Sequence, residues 1–200
     1  MTEHKLFDGD VPYVSTAEFH RDRARAPHLE QTWHQPRLYR AADFVREAAQ
    51  GSPGRLWSVS DLGCGDGGLL SLVKDMEDVR ISWGYDFAPA NAAGWAERGV
   101  DGRALDVFGA DRENAALGDI VVMTEVLEHV ADPRGVLLWL KQQQVRRLVC
   151  SSPCNETPQH HSPEHAWAWD MPGYRAMLEQ AGWHLNRHEQ VGMFQVVLAS

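Results

Sequence analysis

The chain has 200 residues, 44% of them hydrophobic and 24% charged, which fits one globular domain with its own core rather than a disordered chain. Nineteen basic and 28 acidic residues give a net charge of −9, which argues against a broad basic surface for nucleic acid. No apolar run approaches the roughly 20 residues of a membrane helix, and the N-terminal segment lacks the apolar region of a secretory signal. Three cysteines, an odd number, fit a reducing compartment. We therefore expect a cytoplasmic protein without membrane contacts, with nucleic acid a disfavoured but still open partner and the oligomeric state undetermined.

The N-terminal quarter of the chain predicts helices. Residues 15–50 predict two of them, broken near Pro27 and restarted after Pro36. The second, from Arg37 to Gln50, carries its apolar residues near one face. A Gly-Ser-Pro-Gly sequence at 51–54 then interrupts the chain. We therefore predict that residues 1–50 form an N-terminal helical cap that acts as a lid over a substrate site.

From residue 56 onward, predicted strands and helices alternate. The strands cover 56–62, 80–86, 101–107, 119–124 and 146–152, and the helices lie near 67–76, 89–98 and 133–144. This alternation favours a parallel sheet with helices on both faces. The chain ends on a different pattern, which consists of a helix near 172–181 and two strands, 183–190 and 193–199, joined tightly at Gly192.

A glycine-rich segment, DLGCGDGG at residues 61–68, follows the first of these strands and opens a helix. Glycines let the backbone approach a ligand closely, and the start of a helix offers N–H groups that lack intrahelical partners. The spacing fits the G-x-G-x-x-G pattern of dinucleotide sites, and it also fits D-x-G-x-G-x-G beginning at Asp61. Because a carboxylate repels a pyrophosphate but suits a sulfonium or an ammonium group, we favour the second interpretation.

With acids also at the ends of the next two strands, residues 56–199 resemble the class I S-adenosylmethionine-dependent methyltransferases. The resemblance implies an α/β, Rossmann-like fold with a doubly wound seven-stranded sheet of order 3-2-1-4-5-7-6, the last strand antiparallel, and S-adenosylmethionine as the cofactor. It makes residues 51–200 the cofactor-binding domain. Asp86 matches the acid that holds the ribose hydroxyls, and Asp106 matches the acid that accepts from the adenine amino group. The implied cofactor-binding residues are Asp61, Gly63, Cys64, Gly65, Asp86, Phe87, Asp106, Val107 and Thr124.

A second constellation, Glu125-Val-Leu-Glu128-His129, follows the fourth strand of this domain. If the segment is helical, the three polar side chains share a face and form a site for a hard cation or a general base. The motif resembles two branches of the family, the O-methyltransferases of ubiquinone-biosynthesis type and the small-RNA 3′-terminal 2′-O-methyltransferases. In the second branch the equivalent residues bind a divalent metal with a distal histidine, for which His165 is a loose match. The implied metal ligands are Glu125, Glu128, His129 and His165, and the implied ion is Mg²⁺ or Mn²⁺.

We therefore expect an S-adenosylmethionine-dependent methyltransferase that methylates an oxygen of a small-molecule acceptor, with His129 or His165 as the catalytic base. One alternative is a divalent-metal-assisted 2′-O-methyltransferase acting on a ribose or polyol hydroxyl, as at an RNA 3′ end. A further alternative is a non-catalytic protein that binds S-adenosylmethionine. Trp33, Trp167 and Trp169 lie in segments expected to cover the active site, where they form either an aromatic platform for the substrate or part of the lid packing.

Overall fold

A computed structural model describes residues 2–6, 23, 27–51, 54–109 and 111–200. Its helices are α1 (Gln35–Gln50), α2 (Gly68–Val73), α3 (Ala92–Arg98), α4 (Pro133–Gln142) and α5 (Met171–Gln180). Its strands are β1 (Glu3–Lys5), β2 (Trp57–Leu62), β3 (Val79–Asp86), β4 (Gly102–Ala104), β5 (Ile120–Thr124), β6 (Arg147–Pro153), β7 (Trp167–Trp169), β8 (Leu185–Val191) and β9 (Phe194–Ala199). The first predicted cap helix falls almost wholly outside the described residues. Among these residues, no helix is both long enough and apolar enough to span a membrane.

The main sheet has seven strands in the order β4-β3-β2-β5-β6-β9-β8, which confirms the predicted 3-2-1-4-5-7-6 arrangement. Strand β2 pairs in parallel with β3 and with β5, whereas β9 runs antiparallel to both β6 and β8. The reversal between the last two strands uses Gly192, whose φ of +61° suits a tight turn. Because β2, β3 and β5 are parallel, their carboxyl ends meet at one edge of the sheet, where ligands bind in folds of this kind.

Helix α1 packs on the sheet. Its buried apolar side chains are Leu38, Ala41, Ala42, Phe44, Val45, Ala48 and Ala49. They share one core cluster with residues of β2, β5, β6 and β9. The predicted cap of residues 1–50 therefore includes a helix that belongs to the sheet's core, because its apolar residues recur with helical spacing on one face. A lid function for residues 1–50 stays a prediction.

Two predicted elements are shorter than expected, and a third is divided into two helical types. The helix predicted at 67–76 is limited to α2, and the one predicted at 89–98 divides into a 3-10 turn at Pro89–Asn91 followed by α3. The strand predicted at 101–107 is limited to β4. It stops early because Asp106 starts a turn, in which its carbonyl accepts a hydrogen bond of 3.3 Å from the N–H of Gly109.

A second, two-stranded sheet forms from β1 and β7, which are antiparallel. Beside it, the Leu6 N–H donates to the Ala166 carbonyl at 2.8 Å, and the Ala166 N–H donates to the Glu128 carbonyl at 2.7 Å. The segment that carries His165 is therefore held between the N-terminal strand and the Glu128 turn.

Trp169, predicted to cover the active site, is 1% exposed and belongs to the core. Strands β1 and β7 were not predicted, because three residues are too few to show a periodic pattern.

Candidate active site

A cavity of about 760 Å³ opens at the carboxyl ends of β2, β3 and β5. Its volume lies in the range of about 300–1,000 Å³ that is typical of small-molecule sites. Eight of the predicted cofactor residues line it: Asp61, Gly63, Cys64, Gly65, Asp86, Phe87, Asp106 and Thr124. Val107, predicted with them, is buried in the core cluster and does not line the cavity, whereas its neighbours Phe108 and Gly109 do.

The glycine-rich turn has a backbone that other residues would strain. The φ angles of Gly63, Gly65 and Gly67 are +78°, +53° and +82°, in the left-handed region that favours glycine. A Cβ atom on Gly63 would also lie 2.7 Å from a methyl group of Val126, which is closer than van der Waals contact. The turn therefore requires glycine both for its φ angles and for its close approach to the neighbouring loop.

The Asp86 carboxylate ties this turn to the end of β3. Its two oxygens accept hydrogen bonds from the backbone N–H groups of Gly65 at 3.0 Å and Ala88 at 2.9 Å. The indole N–H of Trp95 adds a bond of 2.6 Å to the Gly65 carbonyl. These contacts fix the orientation of the carboxylate at the cavity wall.

Asp61 is an acid buried under the cavity. It is 2% exposed, and its Oδ1 atom has no hydrogen-bond partner in the described part of the chain. Burial, reinforced by the negative charge of Asp86, raises the pKa of Asp61 to about 7, although the positive charge of Arg37 opposes the shift. An orphaned buried acceptor of this kind fits a positively charged group, such as the ammonium or sulfonium of S-adenosylmethionine.

The segment that begins at Glu125 is not the helix that would place three polar side chains on one face. Glu125 has a φ of +59°, and only a single 3-10 turn, Leu127–His129, follows. A φ of this sign is incompatible with a right-handed helix at Glu125, whose N–H donates to the Ser151 carbonyl at 3.1 Å and so extends the pairing of β5 with β6. The hydroxyl of Ser151 donates to the Glu125 carboxylate at 3.0 Å.

Three of the four predicted metal ligands come together. One ligand atom from each of Glu128, His129 and His165 lies within 4.8 Å of the other two. Glu128 is fully buried, and neither of its carboxylate oxygens has a hydrogen-bond partner among the described residues. Burial and the charge of Glu125 raise the pKa of Glu128 well above its ordinary value. Glu125, the fourth predicted ligand, is not in this group and lines the cavity beside it.

Both histidines of the group are oriented through their Nδ1 atoms. That of His129 lies 2.9 Å from the Glu164 carbonyl, and that of His165 lies 2.6 Å from a carboxylate oxygen of Glu156. With Nδ1 donating to an oxygen, the lone pair of a neutral imidazole is on Nε2. Metal-ligating histidines are typically held by such a carbonyl or carboxylate partner. The set therefore fits a divalent cation.

Sequence reasoning missed Arg37, which is 1% exposed beside the cavity. Its guanidinium donates to the Ser151 hydroxyl at 3.4 Å, lies 3.2 Å from Nδ1 of His34 and sits 5.0 Å from the ring centre of Phe194. Burial lowers the pKa of Arg37, and the charges of Glu125, Glu128 and Asp61 oppose that shift. A signal existed in the sequence, because Arg37 lies on the same helical face as Ala41, Phe44 and Ala48.

Comparison with known proteins supports the fold and gives the family. A family profile described as methyltransferase domain matches residues 32–195. No curated protein sequence matches significantly. Among solved structures, the methyltransferase domain of bacterial CtHen1 has a TM-score of 0.63 at 15% identity, covering 84% of this chain and 98% of that one.

Two N-methyltransferases are also similar. The N-methyltransferase NodS of Bradyrhizobium japonicum has a TM-score of 0.66 at 14% identity, covering 94% of this chain and 97% of that one. The 1,6-didemethyltoxoflavin-N1-methyltransferase of Burkholderia thailandensis has a TM-score of 0.61 at 18% identity, covering 84% of this chain and 80% of that one. Both of these structures contain bound S-adenosylhomocysteine. At such identities the likeness to solved structures speaks for the fold.

The sheet order and the cavity at its edge define a class I, Rossmann-like methyltransferase. The chain belongs to the methyltransferase domain family, and it is an S-adenosylmethionine-dependent methyltransferase.

Proposed function

We propose that the chain transfers the methyl group of S-adenosylmethionine to a hydroxyl group of a small-molecule acceptor, assisted by a divalent cation bound to Glu128, His129 and His165. The observation that carries this proposal is the buried carboxylate of Glu128, which has no partner within the described residues and faces two imidazoles. A buried carboxyl group without a hydrogen-bond partner is costly, and a cation at this point would favour its ionised form and so stabilise the native chain.

We assign the cofactor to the half of the cavity formed by β2, β3 and the glycine-rich turn. Asp61 would bind the positively charged amino acid end, Asp86 the ribose hydroxyls, and Asp106 the adenine amino group. Each is an acceptor at or beside the end of a strand, and all three line one cavity. S-adenosylmethionine, when bound, supplies a methyl group activated by its sulfonium.

The donor set decides which cation fits. Two imidazole nitrogens and one carboxylate suit a transition-metal ion better than Mg²⁺, which prefers oxygen ligands. Mn²⁺ is therefore the better candidate of the two predicted ions. When bound, such a cation would lower the pKa of an acceptor hydroxyl.

In the reaction, the oxygen–carbon bond forms as the sulfur–carbon bond breaks, and the sulfur keeps the electron pair as a neutral thioether. The main task of the chain is to hold the hydroxyl in line with the methyl group, which is worth up to about 7–11 kcal/mol. We assign to Glu125 the role of accepting the hydroxyl proton. Its carboxylate lines the cavity but is not part of the set Glu128, His129 and His165, which we call the cation group.

The proposal is tested by Mn²⁺ binding and by methyl transfer. Metal-free protein is titrated with Mn²⁺ in a calorimeter, and formation of S-adenosylhomocysteine is followed with catechol and with adenosine as acceptors. We expect Mn²⁺ to bind and to stimulate transfer, and Glu128→Gln to abolish both. Glu97→Gln, which changes an exposed acid on α3, is the matched control and should behave as the unmodified chain does.

A metal-independent reaction is the second candidate, because one observation favours it. The contact of 2.6 Å between Nδ1 of His165 and a carboxylate oxygen of Glu156 holds the imidazole in one orientation, as a general base requires. Full activity after rigorous removal of metal would support His165 as the base and contradict the proposed cation. A ribose or polyol hydroxyl is the alternative acceptor for either mechanism, and the adenosine reaction tests it.

A further inference from the structure

Four aromatic rings form one wall of the cavity on the acceptor side. His34 stacks on His28 with ring centres 3.8 Å apart, and it packs against Trp33 in a tilted arrangement with ring centres 3.7 Å apart. Phe194 lies 5.4 Å from His34 and 6.1 Å from Trp33. All four side chains line the cavity. We call this set (His28, Trp33, His34 and Phe194) the aromatic wall.

The rings of the aromatic wall are nearly parallel. The angles between ring planes are 18° to 24° for the three stacked pairs and 31° for the tilted pair of Trp33 and His34. Rings that surround a cation in an aromatic cage would instead face one another at steep angles. A set of nearly parallel rings offers a flat surface, on which the favourable ligand is another flat ring in offset stacking.

Burial is uneven across the aromatic wall. Phe194 is 3% and His34 6% exposed, whereas Trp33 is 58% exposed. The buried members therefore hold the wall in place, and the indole of Trp33 presents apolar surface at the opening of the cavity. Covering that surface with a ligand ring would remove apolar area from water, which is favourable.

The centre of the aromatic wall is uncharged at neutral pH. Burial, together with the positive charge of Arg37, lowers the pKa of His34 to about 4. The guanidinium of Arg37 packs against Phe194 and close to His34 Nδ1, on the buried side. A neutral imidazole can stack on a ring without the cost of desolvating a charge.

The aromatic wall is also connected to the residues of the proposed reaction. Arg37 donates to Ser151 at 3.4 Å, and Ser151 donates to Glu125 at 3.0 Å. Two hydrogen bonds thus separate the guanidinium under the wall from the carboxylate assigned to take the acceptor proton. Glu125 and His129 line the same cavity as the wall.

We propose that the aromatic wall is the acceptor-binding subsite and that the acceptor carries its hydroxyl on or next to a planar aromatic or heteroaromatic ring. This inference rests on the proposed function and names the substrate class for the same site. Trp33 determines the specificity, since it is the exposed member of the wall.

The test measures binding of three probes to the full chain saturated with S-adenosylhomocysteine, by calorimetry. Catechol offers a hydroxylated aromatic ring, adenosine offers a base beside ribose hydroxyls, and trans-1,2-cyclohexanediol offers a diol without a flat ring. We expect one or both planar probes to bind and the cyclohexane diol to bind far more weakly. Catechol and adenosine distinguish a free aromatic acceptor from a nucleoside.

Substitutions then locate the binding on the wall. Trp33→Ala should weaken the binding of the planar probe about five- to twentyfold, as expected for the loss of one stacking partner, while Trp33→Phe should keep most of it. Tyr39→Ala, which removes a 50% exposed aromatic ring of α1 outside the cavity, is the matched control and should have no effect. S-adenosylhomocysteine and Mn²⁺ binding should be equal in all four proteins.

Three results would overturn the subsite: equal binding of the cyclohexane diol and the planar probes, binding of neither planar probe, or unchanged binding in Trp33→Ala. Failure of the proposed function would look different, because the unmodified chain itself would then fail to bind Mn²⁺ or to transfer a methyl group.

Discussion

The Nδ1 atom of His165 lies 2.6 Å from a carboxylate oxygen of Glu156, and the two side chains are only 12% and 14% exposed. The other oxygen of Glu156 accepts a hydrogen bond of 2.9 Å from the Ser162 N–H, so the acid is itself held in position. On its other side, the ring of His165 meets that of His129 edge-on, with ring centres 4.7 Å apart. Glu156 therefore orients His165, the member of the candidate cation site that is distant from Glu128 in sequence.

Replacing Glu156 should weaken the cation site. We expect Glu156→Gln to reduce Mn²⁺ affinity about 10- to 100-fold, since it removes the carboxylate that orients His165. Calorimetric titration measures the change. Glu164→Gln is the matched comparison, because it keeps the backbone carbonyl of Glu164 that lies 2.9 Å from Nδ1 of His129. Equal losses in the two variants would contradict a specific role for Glu156.

Substitutions of Glu125 and of Glu128 should differ in their effects on Mn²⁺ binding. Because Glu125 lies outside the cation group, Glu125→Gln should leave Mn²⁺ binding unchanged but slow methyl transfer about 10²- to 10⁴-fold. The slowed step is the removal of the acceptor proton, so the loss should shrink as the acceptor hydroxyl becomes more acidic. Assays with a series of substituted catechols measure this. Loss of Mn²⁺ binding in Glu125→Gln would instead make Glu125 a ligand.

Cofactor affinity should depend on pH through Asp61. The pKa of this acid is raised to about 7, and only its ionised form attracts a positive charge. Affinity for S-adenosylmethionine should therefore fall as the pH drops through 7, by about tenfold between pH 8 and pH 6. Asp61→Asn should bind more weakly at pH 8 and lose this dependence. A variant that keeps the pH profile of the unmodified chain would exclude Asp61 as its source.

The buried cation of Arg37 should contribute strongly to stability. Arg37→Met leaves buried carboxylates without their counter-charge, which we expect to cost about 3–5 kcal/mol of unfolding free energy at pH 8. Because Arg37 holds down the pKa values of Asp61 and Glu125, its removal raises them, and protonation at pH 5.5 should reduce the cost. Urea denaturation at both pH values measures this.

Arg40→Met provides the comparison for Arg37. Its ion pair with Glu189 is about one third exposed, so the loss should stay within about 1 kcal/mol at either pH. A loss for Arg37→Met no larger than that for Arg40→Met would show that the buried guanidinium does not balance the acids around it.

The glycine-rich turn should tolerate no side chain at Gly63. Gly63→Ala combines a φ of +78° with a clash against Val126, so we expect it to cost about 1–3 kcal/mol of stability and to weaken cofactor binding. Gly54→Ala has nearly the same φ, +79°, with no atom within 4 Å of the added methyl group. It should therefore show the backbone strain alone and keep full affinity. Thermal unfolding and cofactor titration of both variants separate the two effects.

Much of the cofactor half of the site could be predicted from the sequence. The glycine turn, Asp61 and Asp86 directly end or follow strands with clear patterns, and parallel strands bring their carboxyl ends to one edge. The alternation of strands and helices predicted a parallel sheet with helices on both faces. The order of its seven strands followed from the resemblance to the class I methyltransferases. The pairing of Glu128 with His129 was visible as neighbours in the chain, although the segment is a 3-10 turn instead of a helix.

The acceptor half was decided by contacts between distant parts of the chain. His165 lies close to Glu128 because the backbone of the next residue, Ala166, hydrogen-bonds both to Glu128 and to Leu6 of the N-terminal segment. The adjoining strands, β1 and β7, are too short to predict from the sequence. His34 and Phe194 come from the two ends of the chain and meet only because α1 packs across β9. The sequence by itself determined the fold and the cofactor edge, since local patterns encode both. Only tertiary packing added His165 to Glu128 and His129, and Phe194 to the ring of His34, because these partners are far apart in sequence and share no local pattern.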